Sequence, residues 1–340
     1  MKPAVLLAAL LALSAPVVVS TTWASPAHAV ELQPMGVALE GYAYPHPVAF
    51  LPLEHRGHAT RMAYMDMAPT APANGRTVLL LHGRNFPAGY WAPTITALAA
   101  AGYRVIAPDQ VQFGKSSKLD DVPVRFDRMV VDTAALLDRL GVAKVDVVAH
   151  SMGNHVGVRW ALAHPERTGK LVMYGPVGLE DYRLYTPAVP LDRLIADDNA
   201  KGPDAYLNEL MTSYGLTLPR SAMAPYVELR ERLKLSGEWP RYVRSFAASA
   251  VAIRDQPYLQ DLPKLTVPVL ILAGATDATA PGKGYAKPED KPKFGHVLAR
   301  AQALAPTMPN ARVEAFDAGH LLHLERTERF NAVVLDFLKS

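Results

Sequence analysis

Ser151 is the first candidate for chemistry, because it lies between small residues in the stretch 149–153, which is A-H-S-M-G. A valine-rich run before it, residues 145–148, predicts a buried strand, and the apolar spacing after it predicts a helix. A serine at such a turn is typical of the nucleophile elbow, whose usual pattern is G-x-S-x-G. Ala149 replaces the first glycine, and one methyl group can be fitted there. The pattern predicts that Ser151 attacks a carbonyl carbon.

Asp277 and His320 are the candidates for the rest of a catalytic triad. Each follows a predicted buried strand, and residues just past the carboxyl ends of parallel strands line the ligand crevice of an open sheet. His320 would take the proton of the Ser151 hydroxyl, and an ionised Asp277 would fix the imidazole tautomer. The competing acids are Glu180 and Asp181, which also follow a predicted strand. We expect Asp277 to be the acid.

The oxyanion that forms during acyl transfer needs hydrogen-bond donors already in place. We predict the backbone N–H groups of Met152, directly after the nucleophile, and of Arg84, in the loop after another predicted strand. The Arg84 side chain leaves two alternatives open, a substrate carboxylate or a salt bridge at the pocket edge. His82 is expected to brace the same loop through hydrogen bonds.

Four histidines in two close pairs suggest a comparison with metal sites: His150 with His155, and His320 with His323. No acidic residue completes a ligand set, and the chain contains 0 cysteines. We therefore predict neither a metal ion nor another cofactor.

The elements that would position these residues alternate between strands and helices. Buried strands are predicted at residues 77–82, 104–109, 145–148, 171–174, 267–273 and 312–316, and helices at 91–101, 125–140 and 326–338. Two antiparallel strands, residues 37–44 and 61–67, are predicted to lead into them. This alternation predicts the α/β class, with a mostly parallel central sheet and helices on both faces.

Residues 179–263 lack buried-strand runs and carry aromatic residues at helical spacings. A segment of this length is too long for a plain loop in a compact domain, so it is predicted to be a helical cap. The core would then comprise residues 30–178 and 264–340. Most cap aromatics are expected to pack within the cap. The candidates for an apolar substrate-binding wall are Tyr214, Trp239 and Tyr242.

Residues 1–29 have the features of a secretory signal peptide. Lys2 precedes an apolar run at residues 4–13, and the segment ends in an A-x-A cleavage site at residues 27–29. The unbroken apolar run is too short to span a bilayer. We predict cleavage after Ala29 and a periplasmic or secreted protein without stable membrane insertion.

The composition is ordinary for a globular protein, with 50% hydrophobic and 20% charged residues. The formal net charge of +3 is too small to predict binding to nucleic acid or to an anionic membrane surface. The expected partner is a small molecule, and the oligomeric state stays open.

The chain resembles an α/β-hydrolase over nearly all of its length after the signal. The residues that carry the resemblance, in the family's order, are His82-Gly83, Asp109 with Phe113-Gly114, the elbow at 149–153, Asp277 and Gly319-His320. Residues 62–66 and 178–181 are similar to exported bacterial members that carry only generic hydrolase labels. The resemblance implies a Ser–Asp–His triad under a helical cap. A serine nucleophile argues against the similar epoxide hydrolases and haloalkane dehalogenases, which use Asp there.

The leading functional hypothesis is a serine hydrolase that cleaves small carboxylic esters through an acyl-enzyme intermediate. The first alternative is cleavage of a carbon–carbon bond in a dienoic keto acid, which uses the same triad. Such substrates are usually intracellular, and this counts against them in an exported protein. A cofactor-free haloperoxidase, a thioesterase and a ligand-binding protein without turnover are further alternatives. The fold supports many chemistries, so acyl and alcohol specificity stay open.

Overall fold

The computed structural model describes residue 1 and residues 32–340. The predicted signal peptide, apart from Met1, therefore lies outside the described residues. The elements described here belong to one compact unit, Gln33–Ser340. No helix among the described residues is long and apolar enough to cross a membrane.

An eight-stranded sheet lies at the centre of this unit. Its strands are β1 (Val48–His55), β2 (His58–Met67), β3 (Thr77–Leu81), β4 (Arg104–Pro108), β5 (Val145–His150), β6 (Thr168–Tyr174), β7 (Val269–Gly274) and β8 (Ala311–Phe316). The order across the sheet is β1-β2-β4-β3-β5-β6-β7-β8. β2 is antiparallel to β1 and β4, whereas the other neighbours are parallel. The predicted α/β class with a mostly parallel sheet is confirmed.

Helices connect most of the strands. Along the described residues they are α1 (Ala92–Ala100), α2 (Phe126–Arg139), α3 (Gly153–Ala163), α4 (Leu191–Ala200), α5 (Pro203–Ser213), α6 (Ala224–Lys234), α7 (Trp239–Asp255), α8 (Val297–Leu304), α9 (Leu322–Glu325) and α10 (Thr327–Lys339).

Alternate residues of the central strands face opposite layers of helices. In β3, Leu79 and Leu81 belong to an apolar cluster with residues of α2, α3 and α8, whereas Val78 and Leu80 cluster with residues of α1 and α10. Both faces are covered, so the strand is a continuous apolar run rather than an alternating one. Such runs are what made β3 to β7 recognisable in the sequence.

The strand predicted at residues 37–44 is wrong. The first strand in the described part of the chain is β1, which pairs with β2 in an antiparallel hairpin. Residues 37–44 form turns and irregular backbone, and Leu39 has a left-handed φ of 55°. Met35 and Leu39 pack against Leu229 and Trp239. The apolar pattern there reflects burial against helices instead of strand pairing.

The segment predicted as a cap, residues 179–263, contains α4, α5, α6 and α7. It is inserted between β6 and β7, and this fully described segment contains no strand. α7 is its longest helix, with 17 residues, and packs against α4 and α6. We call this region the cap segment.

Candidate active site

Ser151 occupies the turn between β5 and α3. Its φ is 52°, a conformation that costs energy for a residue with a Cβ. The Ser151 N–H donates to the carbonyl of Tyr174 at the end of β6 (3.0 Å), and this bond holds the turn against the neighbouring strand. The structure thus has the strand–turn–helix geometry expected of a nucleophile elbow.

Two glycines explain how the turn is packed and why Ala149 is tolerated. A Cβ on Gly153 would lie 2.5 Å from the Leu81 carbonyl oxygen, so this position of the pattern has no room for a side chain. A Cβ on Gly157 would lie 2.9 Å from the Cβ of Ala149. The methyl group that replaces the usual first glycine of the elbow is therefore accommodated by a glycine on the facing helix.

His320 and Asp277 form a buried pair. The His320 Nδ1–H donates to Asp277 Oδ2 (2.7 Å), and both side chains are fully buried. Thr279 N–H donates to Asp277 Oδ1 (3.0 Å), and the His320 N–H donates to the carbonyl of Tyr214 (2.8 Å). The other ring nitrogen, Nε2, is buried without a hydrogen-bond partner among the described residues, Ser151 included. Contacts between base and nucleophile are often long without substrate.

The competing acids lie elsewhere. Glu180 accepts a hydrogen bond from Gly295 N–H (3.3 Å), and burial raises the pKa of its carboxyl. Asp181 pairs with Arg183 at 2.7 Å, and hydrogen bonding to that guanidinium lowers the pKa of Asp181. Of the three acids considered from the sequence, the structure brings only Asp277 onto His320.

The loop after β3 is braced from two sides. The His82 Nδ1–H donates to the Gly83 carbonyl (2.6 Å), and His82 Nε2 accepts from Gln110 N–H (2.9 Å). Burial lowers the pKa of His82, in agreement with a neutral ring that both donates and accepts. A Cβ on Gly83 would lie 3.1 Å from the Ser151 Cβ, so the loop runs directly against the nucleophile.

The two N–H groups predicted for the oxyanion are on either side of this contact. Met152 is the first residue after Ser151 and the N-cap of α3, where backbone N–H groups have no intrahelical acceptor. Arg84 directly follows Gly83. Neither N–H donates to another described residue. Both could therefore donate to a substrate oxyanion.

The Arg84 side chain reaches the cap segment. Its Nε–H donates to Ser249 Oγ (2.8 Å), its Nη2 donates to the Phe246 carbonyl (3.0 Å), and its guanidinium lies 3.6 Å from the centroid of the Phe246 ring. The sequence left two alternatives for this side chain, a salt bridge or a substrate carboxylate. Arg84 forms no salt bridge with any carboxylate of the described residues.

A cavity of about 500 Å³ opens beside Ser151. Arg84 and Asn85 line it from the core, and the loop at residues 278–285 closes another side. The cap segment contributes residues of α4, α5 and α7, among them Leu194, Ser213 and Ile253. The nucleophile thus faces a space large enough for a small organic substrate.

Comparison with known proteins decides the family. Residues 76–327 match the family described as alpha/beta hydrolase fold. This chain belongs to the α/β-hydrolase fold family. The match includes Ser151, Asp277 and His320, together with the whole cap segment.

Named relatives of this α/β-hydrolase are hydrolases of 2-hydroxy-6-oxo-dienoates. The chain is 30% identical over 297 residues to a 2-hydroxy-6-oxononadienedioate/2-hydroxy-6-oxononatrienedioate hydrolase of Burkholderia vietnamiensis, covering 83% of this chain and 92% of the relative. It is 29% identical over 281 residues to a 2-hydroxy-6-oxo-6-phenylhexa-2,4-dienoate hydrolase of Burkholderia cepacia, covering 78% and 88%. A solved structure of a probable hydrolytic enzyme from Pseudomonas aeruginosa superposes with a TM-score of 0.87 at 36% identity, covering 91% of this chain and 99% of that one.

Of the three cap aromatics predicted to contact substrate, only Tyr214 lines the Ser151 cavity. Its ring lies 4.5 Å from that of His320, centroid to centroid. Trp239 stacks on Tyr242 and donates from Nε1 to Asn199 (2.6 Å). Tyr242 lines a smaller cavity of about 30 Å³, which shares Arg84 and Asn85 with the Ser151 cavity. Neither ring lines the Ser151 cavity, because Trp239 packs against Met35 and Leu39 and Tyr242 faces the smaller cavity. A role for these two residues in substrate binding stays a prediction.

The clustered histidines are hydrogen-bonded rings. The His150 Nε2–H donates to the His320 carbonyl (3.1 Å), which leaves Nδ1 to accept from Tyr90 OH (2.8 Å). Burial holds the pKa of His150 well below its ordinary value. His155 bonds the Gln256 carbonyl and His323 bonds Tyr174 OH. No group of three or more possible metal-binding side chains occurs in the described part of the chain.

Glu325 is a site residue that the sequence reasoning missed. Its buried carboxylate accepts four hydrogen bonds, from the N–H groups of Gly319 (2.9 Å) and Leu321 (3.0 Å) and from the N–H and Oγ1 of Thr217 (2.8 Å each). It thereby holds both neighbours of His320 and ties them to the cap segment. A short motif could not reveal it, because Thr217 is distant in sequence.

Proposed function

We propose that this α/β-hydrolase cleaves a bond to the carbonyl carbon of a small substrate, with Ser151 as nucleophile, His320 as base and Asp277 as its orienting acid. The single observation that supports this most directly is the buried 2.7 Å hydrogen bond between Asp277 Oδ2 and His320 Nδ1. That bond favours the tautomer in which Nε2 carries no proton, so Nε2 can accept one.

The chemistry then follows from the positions around Ser151. Its oxygen attacks the carbonyl carbon while His320 takes the hydroxyl proton. The N–H groups of Met152 and Arg84 bind the oxygen that becomes negative, and a donor of this kind contributes about 10²–10³ in kcat. Collapse of the intermediate expels the leaving group, which receives the proton from His320. Water then releases the acyl group from Ser151 by the same steps.

The first candidate for the bond is a carbon–carbon bond in a 2-hydroxy-6-oxo-dienoate. The support is the activity named for relatives that are 29% and 30% identical over most of this chain. In such a substrate, transfer of the 2-hydroxyl proton to C5 first gives the 2-keto form, and the leaving carbon C5 can then pass its electron pair into the conjugated 2-keto acid. Cleavage by an attacking serine is therefore chemically reasonable without a metal ion.

The second candidate is a carboxylic ester, which needs the same three side chains. The observation that favours it is the signal-like sequence of residues 1–29, with Lys2, an apolar run and the A-x-A site. An exported enzyme would meet esters more readily than intracellular dienoates. Periplasmic or secreted localisation is part of this second proposal.

The test compares both substrate classes on one preparation. The purified protein is given 2-hydroxy-6-oxo-6-phenylhexa-2,4-dienoate and p-nitrophenyl acetate, butyrate and octanoate, and kcat/KM is measured for each. A larger kcat/KM for the dienoate supports the first candidate, and a larger value for an ester supports the second. Ser151→Ala is the control in both assays. Turnover that persists in this variant, or no turnover of either class, contradicts the proposed function.

A further inference from the structure

Arg84 is a cation in the Ser151 cavity that no carboxylate neutralises. No Asp or Glu oxygen of the described chain lies within 4.0 Å of its guanidinium. Its protein partners are a hydroxyl and a carbonyl, on Ser249 and Phe246, and the face of the Phe246 ring. These partners fix the side chain and leave its charge uncompensated.

The guanidinium also keeps free donors. An arginine carries five N–H donors in a planar fork. The contacts to Ser249 and Phe246 use Nε and Nη2, and the Nη1 amino group has no acceptor among the described residues. A carboxylate is the group that such a fork binds best, by two parallel charge-assisted hydrogen bonds.

The acidic residues that line the cavity do not compete for Arg84. Each is engaged by a cation of the cap segment: Asp197 by Arg193 (2.9 Å), Asp198 by Arg230 (3.4 Å) and Glu209 by Lys201 (2.5 Å). Charge in the cavity is therefore divided. The acids are paired within the cap, whereas Arg84, on the loop that contacts Ser151, and Lys283 have no carboxylate partner among the described residues.

We propose that Arg84 binds a carboxylate of the substrate, so that the enzyme selects molecules that carry an acid group besides the bond to be cleaved. The proposal rests on the proposed function only in taking the Ser151 cavity as the place where substrate binds. It applies equally to a dienoate and to an ester of a dicarboxylic acid. The carboxylate replaces the counter-ion that the protein does not supply.

Arg84 also connects the loop after β3 to α7 through its hydrogen bonds. A purely structural role in this connection, which we call the tether, is the competing explanation for the side chain. A tether acts through Ser249 and is indifferent to the charge of the ligand. A carboxylate site acts through the guanidinium charge and discriminates between a charged ligand and its neutral isostere. Ser249→Ala, which removes one tether bond and keeps the charge, is therefore the matched control.

The experiment is isothermal titration of hexanoate and of hexanamide into the full chain carrying Ser151→Ala, so that no catalysis is needed. With Arg84 present, hexanoate should bind at least about tenfold more tightly than hexanamide, as expected for a charge-assisted pair. Arg84→Gln should abolish this preference, and Arg84→Lys, which keeps the charge without the fork, should retain part of it. Ser249→Ala should leave the preference in place.

Three results would overturn the proposal. They are equal affinity for the two ligands with Arg84 present, no binding of hexanoate, or the same loss of preference in Ser249→Ala as in Arg84→Gln. If Arg84→Gln does not fold, as judged by circular dichroism, Arg84→Lys becomes the test. An undiminished preference of that variant for hexanoate over hexanamide contradicts recognition by the planar guanidinium. These readouts are separate from turnover, so failure of either candidate reaction leaves the binding result to be judged by itself.

Discussion

Two buried carboxylates show that the residues a side chain contacts decide whether it can act as the acid of the triad. Asp277 and Glu180 are both buried, but only Asp277 accepts a hydrogen bond from His320. Glu180 receives one from Gly295, and burial raises the pKa of its carboxyl. Only Asp277 can therefore hold the imidazole tautomer of His320 and stabilise the imidazolium that forms when Ser151 gives up its proton.

Replacing these acids one at a time tests the assignment. Asp277→Asn should lower kcat by about 10⁴-fold, because the amide can donate to the ring and so favour the wrong tautomer. Glu180→Gln should leave kcat little changed. The rates are measured with the better substrate, and thermal melts followed by circular dichroism check that both variants fold. If Glu180→Gln lowers kcat as much as Asp277→Asn or more, Asp277 is not the acid of the triad.

At the scale of the element, His320 depends on how its loop is fastened to the cap segment. Glu325, in α9, accepts N–H groups on both sides of His320 and also binds Thr217. The His320 N–H itself donates to Tyr214, at the end of α5. The base is therefore positioned partly by the segment that covers the cavity.

Glu325→Gln should weaken this arrangement, because a glutamine has one acceptor oxygen where the carboxylate uses two. Buried N–H groups left without an acceptor cost about 1–3 kcal/mol. We expect a lower free energy of unfolding in urea and a lower kcat. Glu328→Gln, a matched change at an exposed position of α10, should alter neither. If Glu325→Gln has the wild-type free energy of unfolding and the wild-type kcat, the hydrogen bonds of Glu325 are not needed to position His320.

The elements differ in how far the sequence predicts them. β3 to β7 follow from continuous apolar runs, and Ser151 and Asp277 lie just past two of these strands. His320 instead follows β8, a partly exposed edge strand that the sequence predicts from a shorter apolar pattern. The strand predicted at residues 37–44 is wrong, because a short run of apolar residues looks the same in sequence whether it is buried against a helix or in a sheet. Glu325 and the positions of the cap rings depend on contacts distant in sequence, which spacing does not encode.

At the scale of the whole molecule, several histidines are buried as neutral rings. Burial lowers the pKa of His155 and of His323 to about 3 and that of His150 well below its ordinary value. In the unfolded chain these rings titrate near pH 6.5. The stability they contribute is complete above about pH 6.5 and is lost as the pH falls toward about 3, because only the unfolded chain then binds the protons.

Stability should therefore fall steeply in mild acid. Below about pH 6 each ring binds a proton in the unfolded chain but not in the folded one, and so contributes a slope of roughly 1 kcal/mol per pH unit. The buried carboxyls of Asp146 and Glu180, whose pKa values burial raises, oppose the trend. The free energy of unfolding in urea is measured at pH 7, 6 and 5. His155→Gln should remove one ring's share of the slope, and equal stability at pH 7 and pH 5 would contradict the neutral rings.

We propose that Ser151 is the nucleophile of this hydrolase and His320 its base. Intact-mass spectrometry after treatment with a fluorophosphonate tests it most directly, because the reagent phosphonylates an activated serine and does not depend on the natural substrate. We expect a single adduct, located by peptide mass spectrometry on the segment that contains Ser151, absent in Ser151→Ala and formed far more slowly in His320→Asn. An adduct that persists in Ser151→Ala, or a wild-type protein that stays unlabelled, would contradict it.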